Sequence, residues 1–311
     1  MNIKQLYYFV TIVDEGTISK AAKKLFMTQP PLSSQIKSLE DELNCVLFTR
    51  TSHGITLTEQ GKILYQRAVS VLNLLSTAKE TIAGVGEESA GVIRLGVTSS
   101  VAATKIMSSI ADFSQKNPAV QINMNEADTY TLIEQLRSNE IQFCIIRTPF
   151  FLDEKFTSIP IAKGSLVAFG QSDFFRGSLS TEEHGAILLK ELSNIPLIVY
   201  RRWERIVKST FEQNGIKYNI RCINNDARTA WFLAQKGMGV ALLPSSGIAL
   251  LDHVTALESE CEVREIEGSP WDTDIVILYD RSAYLPACSR KLLQILTTAF
   301  IDPKDKSEVF F

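Results

Sequence analysis

The chain has 311 residues, 45% of them hydrophobic and 22% charged, a balance that fits about two folded domains and excludes a disordered polymer. Its 32 Lys and Arg against 35 Asp and Glu give a formal charge of -3, which excludes a protein that holds polyanions by bulk charge alone. Five scattered Cys without a Cys-x-x-Cys pair, and three isolated His, make neither a disulfide framework nor a metal site, so no metal or cofactor is expected.

The first segment, MNIKQLYYFVTIVDEG, carries charge inside its apolar run and has no small-residue cleavage site, so it reads as a helix rather than an export signal. No run reaches the ~18 apolar residues of a membrane span. A cytoplasmic protein without a membrane partner is the expectation.

Ile3, Leu6, Phe9, Val10 and Val13 recur at helical spacing, and the helix should end near Gly16. Thr17 is placed to cap a second, short helix with Ala21, Ala22 and Leu25 inside. After a four-residue break, Thr28 can cap a third helix that tolerates Pro30 and Pro31 in its first turn. Leu32, Ile36, Leu39 and Leu43 form its inner stripe, while Gln29, Pro31, Ser33, Ser34 and Lys37 lie on the other face. Two short helices, a tight turn and a third helix with a lean polar face match a helix-turn-helix that enters the major groove.

Charge placement agrees. Residues 16–39 contain Lys20, Lys23, Lys24 and Lys37 and no acid, whereas Asp14, Glu15, Glu40, Asp41 and Glu42 crowd just outside. Next come two β-prone runs, Val46–Arg50 and Ile55–Leu57, around Ser52-His53-Gly54. This hairpin reads as a wing that brings Arg50 and His53 near the DNA backbone or minor groove.

These residues carry a resemblance to the LysR-type transcriptional regulators. It lies in Leu6-x-x-Phe9, in Gly16-Thr17-Ile18-Ser19-x-Ala21-Ala22-x-x-Leu25, and in Thr28-Gln29-Pro30-Pro31-Leu32-Ser33-x-Gln35-Ile36-x-x-Leu39-Glu40. It continues through Leu47-Phe48-x-Arg50 and Leu57-Thr58-x-x-Gly61. Asn44 stands where the family usually has Gly, and Asn is the next-best residue for a left-handed turn. The resemblance implies a DNA-binding head, a dimerising linker helix, and two subdomains resembling periplasmic binding proteins with an effector cleft between them.

Thr58 can cap a long helix to about residue 83, in which Leu64, Ala68, Val71, Leu75, Ala78 and Ile82 step by four and three in a heptad seam. A partner helix is expected on that seam, giving a homodimer, and the resemblance implies a homotetramer built as a dimer of dimers. The polar, glycine-bearing run 84–91 reads as a hinge.

From residue 92 strands alternate with helices. Strands are expected at 92–97, 120–125, 143–146, 166–169, 197–200, 219–223, 240–243 and 275–279. Helices are expected at 100–116, 129–138, 203–213, 226–236 and 287–299. Such alternation implies largely parallel sheets with sites at strand carboxyl ends. The resemblance continues in Ile93-Arg94-Leu95-Gly96-Val97 and in Gly237-x-Gly239-Val240-Ala241-Leu242-Leu243-Pro244, while Gln142 departs from an Asp common near that strand.

The expected fold is thus α/β with an all-α-type winged helix-turn-helix head at 1–58, a linker helix and hinge at 59–91, and an effector-binding domain at 92–311. Subdomain I is set at about 92–162 and 268–303 and subdomain II at about 163–267, with crossings near 161–164 and 266–269.

Thr28, Gln29, Pro30, Pro31, Ser33, Ser34, Lys37, Arg50 and His53 are the candidates for contacting double-stranded DNA. For the effector the candidates are Thr98, Ser99 and Ser100 after the first strand, Thr129 at the next helix start, Arg147 at a strand end, and Arg201, Arg202 and Trp203 from the other subdomain. Helix starts and arginine forks suit an anion. The expected function is a sequence-specific regulator controlled by an anionic small molecule, and the resemblance implies RNA polymerase as a further partner. The alternative is a cytoplasmic small-molecule-binding protein without a specific DNA target; a transport-type solute-binding protein would need an export signal and leaves the first ninety residues unexplained. An enzyme would need a nucleophile elbow, a P-loop or a dinucleotide fingerprint, and none is found.

Overall fold

The computed structural model describes residues 1–51, 54–83, 90–102, 104–176, 186–246, 261–268 and 270–300. The chain divides into two compact units, residues 1–87 with 134–141, and residues 88–133 with 142–311.

In the first unit α1 spans Ile3–Glu15 and opens on a capping box, Gln5 N–H donating to Asn2 Oδ1 at 3.0 Å and Asn2 N–H to Gln5 Oε1 at 2.9 Å. It ends at Gly16, whose φ of +70° sits where side chains are penalised. The short helix α2 (Ile18–Lys24) is capped by Thr17, which accepts from Lys20 N–H at 3.2 Å. Helix α3 runs Gln29–Leu43 with its prolines in the first turn, and stops at Asn44 in the left-handed region at φ +50°. Strands β1 (Phe48–Thr51) and β2 (Gly54–Leu57) pair antiparallel as the expected hairpin.

Helix α4 (Glu59–Ala83) follows from Thr58, whose hydroxyl donates to Val46 O at 2.7 Å and accepts from Gly61 N–H at 3.0 Å. At Gly61 a Cβ would overlap the Leu47 carbonyl oxygen, so the Thr58-x-x-Gly61 pair lets the helix start directly against the wing. Phe9, Ile12, Ala21, Leu32, Leu39, Leu47 and Ala68 form the buried core, with the Phe9 and Phe48 rings stacked at 6.2 Å. Burying each large side chain contributes about 1.5–3 kcal/mol.

The heptad seam divides in two. Ala68 is buried and Leu64 packs against this same core, whereas along the remaining turns Val71, Ala78 and Ile82 are exposed and Leu75 is half-buried. The first turns of α4 therefore serve their own head, and only the later positions form an uncovered stripe.

The second unit contains two sheets. The five-stranded sheet has the order β4-β3-β5-β13-β6, built from β3 (Gly91–Val97), β4 (Val120–Glu126), β5 (Phe143–Arg147), β6 (Phe156–Ala162) and β13 (Ile275–Asp280). Helices α5 (Ser99–Ala102), α6 (Lys105–Lys116), α7 (Thr129–Arg137) and α10 (Ala287–Phe300) belong with it in sequence.

The six-stranded sheet has the order β10-β9-β11-β7-β12-β8. Its strands are β7 (Leu166–Gln171), β8 (Ile187–Leu188), β9 (Pro196–Tyr200), β10 (Asn219–Asn224), β11 (Val240–Pro244) and β12 (Cys261–Glu267). With them run α8 (Glu204–Gln213) and α9 (Ala227–Gln235).

The chain passes from one sheet to the other between Ala162 and Leu166 and returns between Glu267 and Ile275. These crossings make both sheets mixed rather than largely parallel. β13 runs antiparallel to β5 and β6, and β7 antiparallel to β11 and β12. The single helix expected over 100–116 is two, α5 and α6, with Thr104 as the cap residue of the second. Gln142, the departure from Asp, is fully used. It accepts from Arg94 N–H at 3.0 Å and from Ser289 Oγ at 2.7 Å, tying β3 to α10.

Candidate functional site: a helix-turn-helix face and an effector cleft

On the head, the buried stripe Leu32, Ile36 and Leu39 anchors α3 and turns its opposite side outward. Thr28, Gln29, Pro30, Pro31, Ser34 and Lys37 are exposed and Ser33 is half-buried. Gln29 accepts from Ser19 Oγ at 3.1 Å, which fixes its amide across the turn between α2 and α3.

Of the four lysines in the acid-free stretch, Lys24 is held by Glu15 at 2.6 Å. Lys20, Lys23 and Lys37 have no carboxylate partner among the described residues. The turn carries a further residue that the pattern did not single out. Phe26, between α2 and α3, sits at φ +53° and is 97% exposed. Arg50 lies on β1, opposite Ile55, but its side chain and the whole of His53 lie outside the described residues.

The second unit holds a cleft of about 1160 Å³ at strand ends of both sheets. Ser99 and Thr129 line it from one side, Arg201 and Arg202 from the other. Four candidates so meet in one place.

The other four do not line the cleft, each for a physical reason. Trp203 is 1% exposed and packs in the core of the six-stranded sheet. Residues 201–203 form a 3₁₀ turn, and its threefold repeat returns Trp203 to the side of Tyr200. The wall expected of Trp203 is supplied by Tyr200 instead. Arg147 is also 1% exposed. Its Nε donates to Ser100 Oγ, its Nη1 to Thr273 O and its Nη2 to Ser100 O, each at 3.1 Å, and Nη2 also reaches Ser246 Oγ at 2.6 Å. Ser100 is thereby committed to Arg147, and Thr98 is buried with its hydroxyl 3.4 Å from Ser100 Oγ.

Burial, and then the charge of Arg202, pull the Arg147 pKa down. A guanidinium starts so high that it stays cationic at neutral pH. Arg202 is lowered by burial as well. It reaches across the cleft, Nη1 donating to Thr129 Oγ1 and Nη2 to the carbonyls of Arg147 and, at 2.9 Å, Pro149. Its Nε is buried without a partner among the described residues, and so is Ser99 Oγ.

Acids at the rim were missed by pattern reading because each looks like a helix or turn residue in isolation. Asp128 caps α7, accepting from Thr131 Oγ1 at 2.5 Å and from the N–H groups of Tyr130 and Thr131. Burial would raise its pKa, but those hydrogen bonds outweigh it and hold the carboxyl below its usual range. Asp226 caps α9 and pairs with Arg228 at 2.6 Å, and Arg228 also reaches Glu126 at 2.5 Å. Among the described residues no group of three or more His, Cys, Asp or Glu could hold a metal ion, and no helix is long and apolar enough to cross a membrane.

Residues 3–62 match the bacterial regulatory helix-turn-helix proteins of the lysR family, and residues 86–301 match the LysR substrate binding domain. The HTH-type transcriptional regulator BsdA of Bacillus subtilis (strain 168) is 29% identical over 309 residues, 95% of this chain and 100% of that protein. Full-length CbnR in complex with its target DNA has the same fold, with a TM-score of 0.70 at 19% identity over 96% of this chain and 100% of CbnR. Full-length OxyR from Pseudomonas aeruginosa gives 0.66 at 20% identity, over 96% and 94% of the two chains. With the head and the cleft domain both matched in order, the chain belongs to the LysR family of DNA-binding transcriptional regulators with a C-terminal effector-binding domain.

Proposed function

We propose that α3 reads one operator sequence and that an anionic small molecule in the cleft sets the response. The observation that carries the DNA reading is the exposed polar face of α3 above a fully buried stripe, flanked by Lys20 and Lys23, which have no carboxylate partner among the described residues. Gln29, Pro31, Ser33, Ser34 and Lys37 contact base edges or phosphates, Thr28 and Pro30 set the entry of the helix, and Arg50 and His53 take the flanking backbone. CbnR, which shares the fold, is described bound to its target DNA.

The exposed later turns of α4, with Val71, Ala78 and Ile82, take a second copy of the chain, so that two heads meet two half-sites. Dimers pair into a tetramer, and contact with RNA polymerase transmits the effector signal. We set the head at 1–58, the linker helix and hinge at 59–91 and the effector-binding domain at 92–311, a division supported by the order of the two family matches over 3–62 and 86–301. The protein acts in the cytoplasm and binds its ligand without turning it over. What supports that reading is that the carboxylates of the lining are already engaged, Asp128 by the start of α7 and Glu126 and Asp226 by Arg228.

The test is recovery of genomic fragments on the purified chain, compared with the Ser33→Glu variant. One imperfect palindrome enriched by the parent and lost by the variant, with the variant's thermal unfolding unchanged, is expected. Equal recovery of every fragment by both proteins defeats the assignment of α3 as the reading element.

A further inference from the structure

Helix α2 closes on an unusual residue. Past Lys24 the chain turns through two hydrogen bonds, Phe26 N–H donating to Lys23 O at 3.1 Å and Met27 N–H to Ala22 O at 2.9 Å. This paired closure holds one residue in the left-handed region, a place that glycine or asparagine takes without strain. The same two bonds close the chain at Asn44, Asn139, Gly215 and Gly237, each with positive φ. At the end of α2 the residue is Phe26, at φ +53°. A bulky side chain is penalised there, because its Cβ crowds the backbone.

Nothing inside the head repays that strain. Leu25 packs against the buried core and Met27 is half-buried, so the residues on either side already anchor the turn. Phe26 is 97% exposed, more than any other large hydrophobic residue among those described. A strained backbone and a fully uncovered ring at one position mark a residue that serves a contact outside the chain.

The setting says which contact. Two residues on, Thr28 opens α3, and Thr28, Gln29, Pro30 and Pro31 are exposed. A recognition helix enters the major groove by its N-terminal residues, so the turn that leads into it comes to the groove's edge. Lys20 and Lys23, on the helix before the turn, are exposed and have no carboxylate partner among the described residues. Residues 16–39 contain no acid. An apolar ring among cations and hydroxyls gains little from a phosphate. In the major groove the apolar group on offer is the C5 methyl of thymine.

We propose that Phe26 is a specificity residue, its ring covering the methyl group of a thymine at the edge of the bases that α3 reads. This rests on reading α3 as the element that enters the groove.

The test uses the full chain and a fluorescent duplex carrying the enriched palindrome, with affinities read by anisotropy over a salt series. Phe26→Gly should bind this duplex about fourfold or more weakly, since one buried methyl-sized group accounts for about that factor. Its salt slope should stay as in the parent, because no cation is removed. Its thermal midpoint should not fall, because glycine relieves the backbone. Phe26→Asn, which keeps the turn as stiff as at Asn44, should weaken binding alike. Replacing the thymines of one half-site singly by deoxyuridine removes one methyl at a time. One such replacement should weaken the parent about fourfold and leave Phe26→Gly unaffected.

Variants that bind the palindrome as the parent does overturn the contact with DNA and leave the ring to a protein partner. A parent indifferent to every deoxyuridine, or a deoxyuridine penalty that persists in Phe26→Gly, overturns the thymine methyl as the group covered. If Phe26→Gly binds as the parent while Ser33→Glu loses the palindrome, the role of Phe26 falls alone. Equal recovery of every fragment by parent and Ser33→Glu removes the reading of α3, and the role of Phe26 with it.

Discussion

Arg228 Nη2 lies 2.5 Å from Glu126 Oε1, and that contact spans the cleft from the start of α9 to the end of β4. Arg228 is also bound to Asp226 on its own side, so one guanidinium joins a helix cap to the opposite sheet. All three side chains are at least a third exposed or nearly so, and an exposed ion pair is worth only about 0–1 kcal/mol. Arg228→Ala should therefore change unfolding free energy by no more than about 1 kcal/mol. It should nevertheless speed hydrogen exchange at the first turn of α9. Unchanged exchange there would show that the bridge does not hold the helix start.

The same clasp has a pH signature. The hydrogen bond from the Arg228 side chain, joined by its backbone N–H, outweighs partial burial and holds Asp226 below its ordinary range. A carboxyl lowered on folding adds stability that is present above its unfolded pKa, about 3.9, and lost as pH falls through the folded value. The stability difference between the parent and Arg228→Ala should stay constant from neutral pH to about 5 and shrink below about 4. Thermal unfolding across that range checks it, and a difference that persists at the acid end would exclude Asp226 as the source.

Arg147 poses a different balance. It is a buried cation with four hydrogen bonds to neutral oxygens and no carboxylate partner among the described residues. Arg147→Ala removes its donors and most of its volume together, and a loss of about 3–5 kcal/mol is expected. Arg147→Met keeps much of the volume and relieves the repulsion from Arg202, so it should cost about 1–3 kcal/mol for the acceptors left unsatisfied. Urea denaturation of the two variants separates these contributions. Equal losses would mean that hydrogen bonding, not filling, dominates the site.

Local rules made the head legible, because each cap and stripe there acts within a few residues. Gly16, Thr17, Thr28 and Asn44 stand at the helix ends they were expected to mark. The cleft domain was legible only where strands are wholly apolar, as in Phe143–Arg147 and Val240–Pro244. β6 and β12 escaped notice because Phe156–Ala162 contains Pro160, and Cys261–Glu267 alternates charge with apolar residues. Their place is set by pairing with β13 and β7, distant partners that no short window contains. The side chains of the site follow the same division. Thr129, Arg201 and Arg202 project from element ends and were found, whereas Arg147 and Trp203 were drawn inward by Ser100, Thr273 and Tyr200.

Gly61 offers a test of the join between wing and linker. A Cβ there would run into the Leu47 carbonyl, which also accepts from Thr58 N–H at 3.0 Å, so neither the helix start nor the wing can yield freely. Gly61→Ala should destabilise the head by about 1–3 kcal/mol despite alanine's better helix propensity, because overpacking against backbone exceeds that gain. Chemical denaturation followed by circular dichroism reads the change. A stabilised variant would show that α4 can shift away from Leu47 at no cost.

Lys37 is the position at which phosphate contact and base reading part company. It is exposed on α3 and lacks a carboxylate partner among the described residues, so its charge is free to meet a phosphate. Each phosphate neutralised by a cation contributes about 0.9 to the slope of log affinity against log salt. Lys37→Ala should weaken binding to operator and random fragments by a similar factor and lower that slope by about 1 per head. Ser33→Ala adds no clash and removes no charge, so it should leave the slope unchanged while narrowing the preference for the operator. Fluorescence anisotropy over a salt series measures both quantities on the same labelled fragments. A lysine variant that loses only operator preference, with its slope intact, would move Lys37 from the phosphates to a base edge.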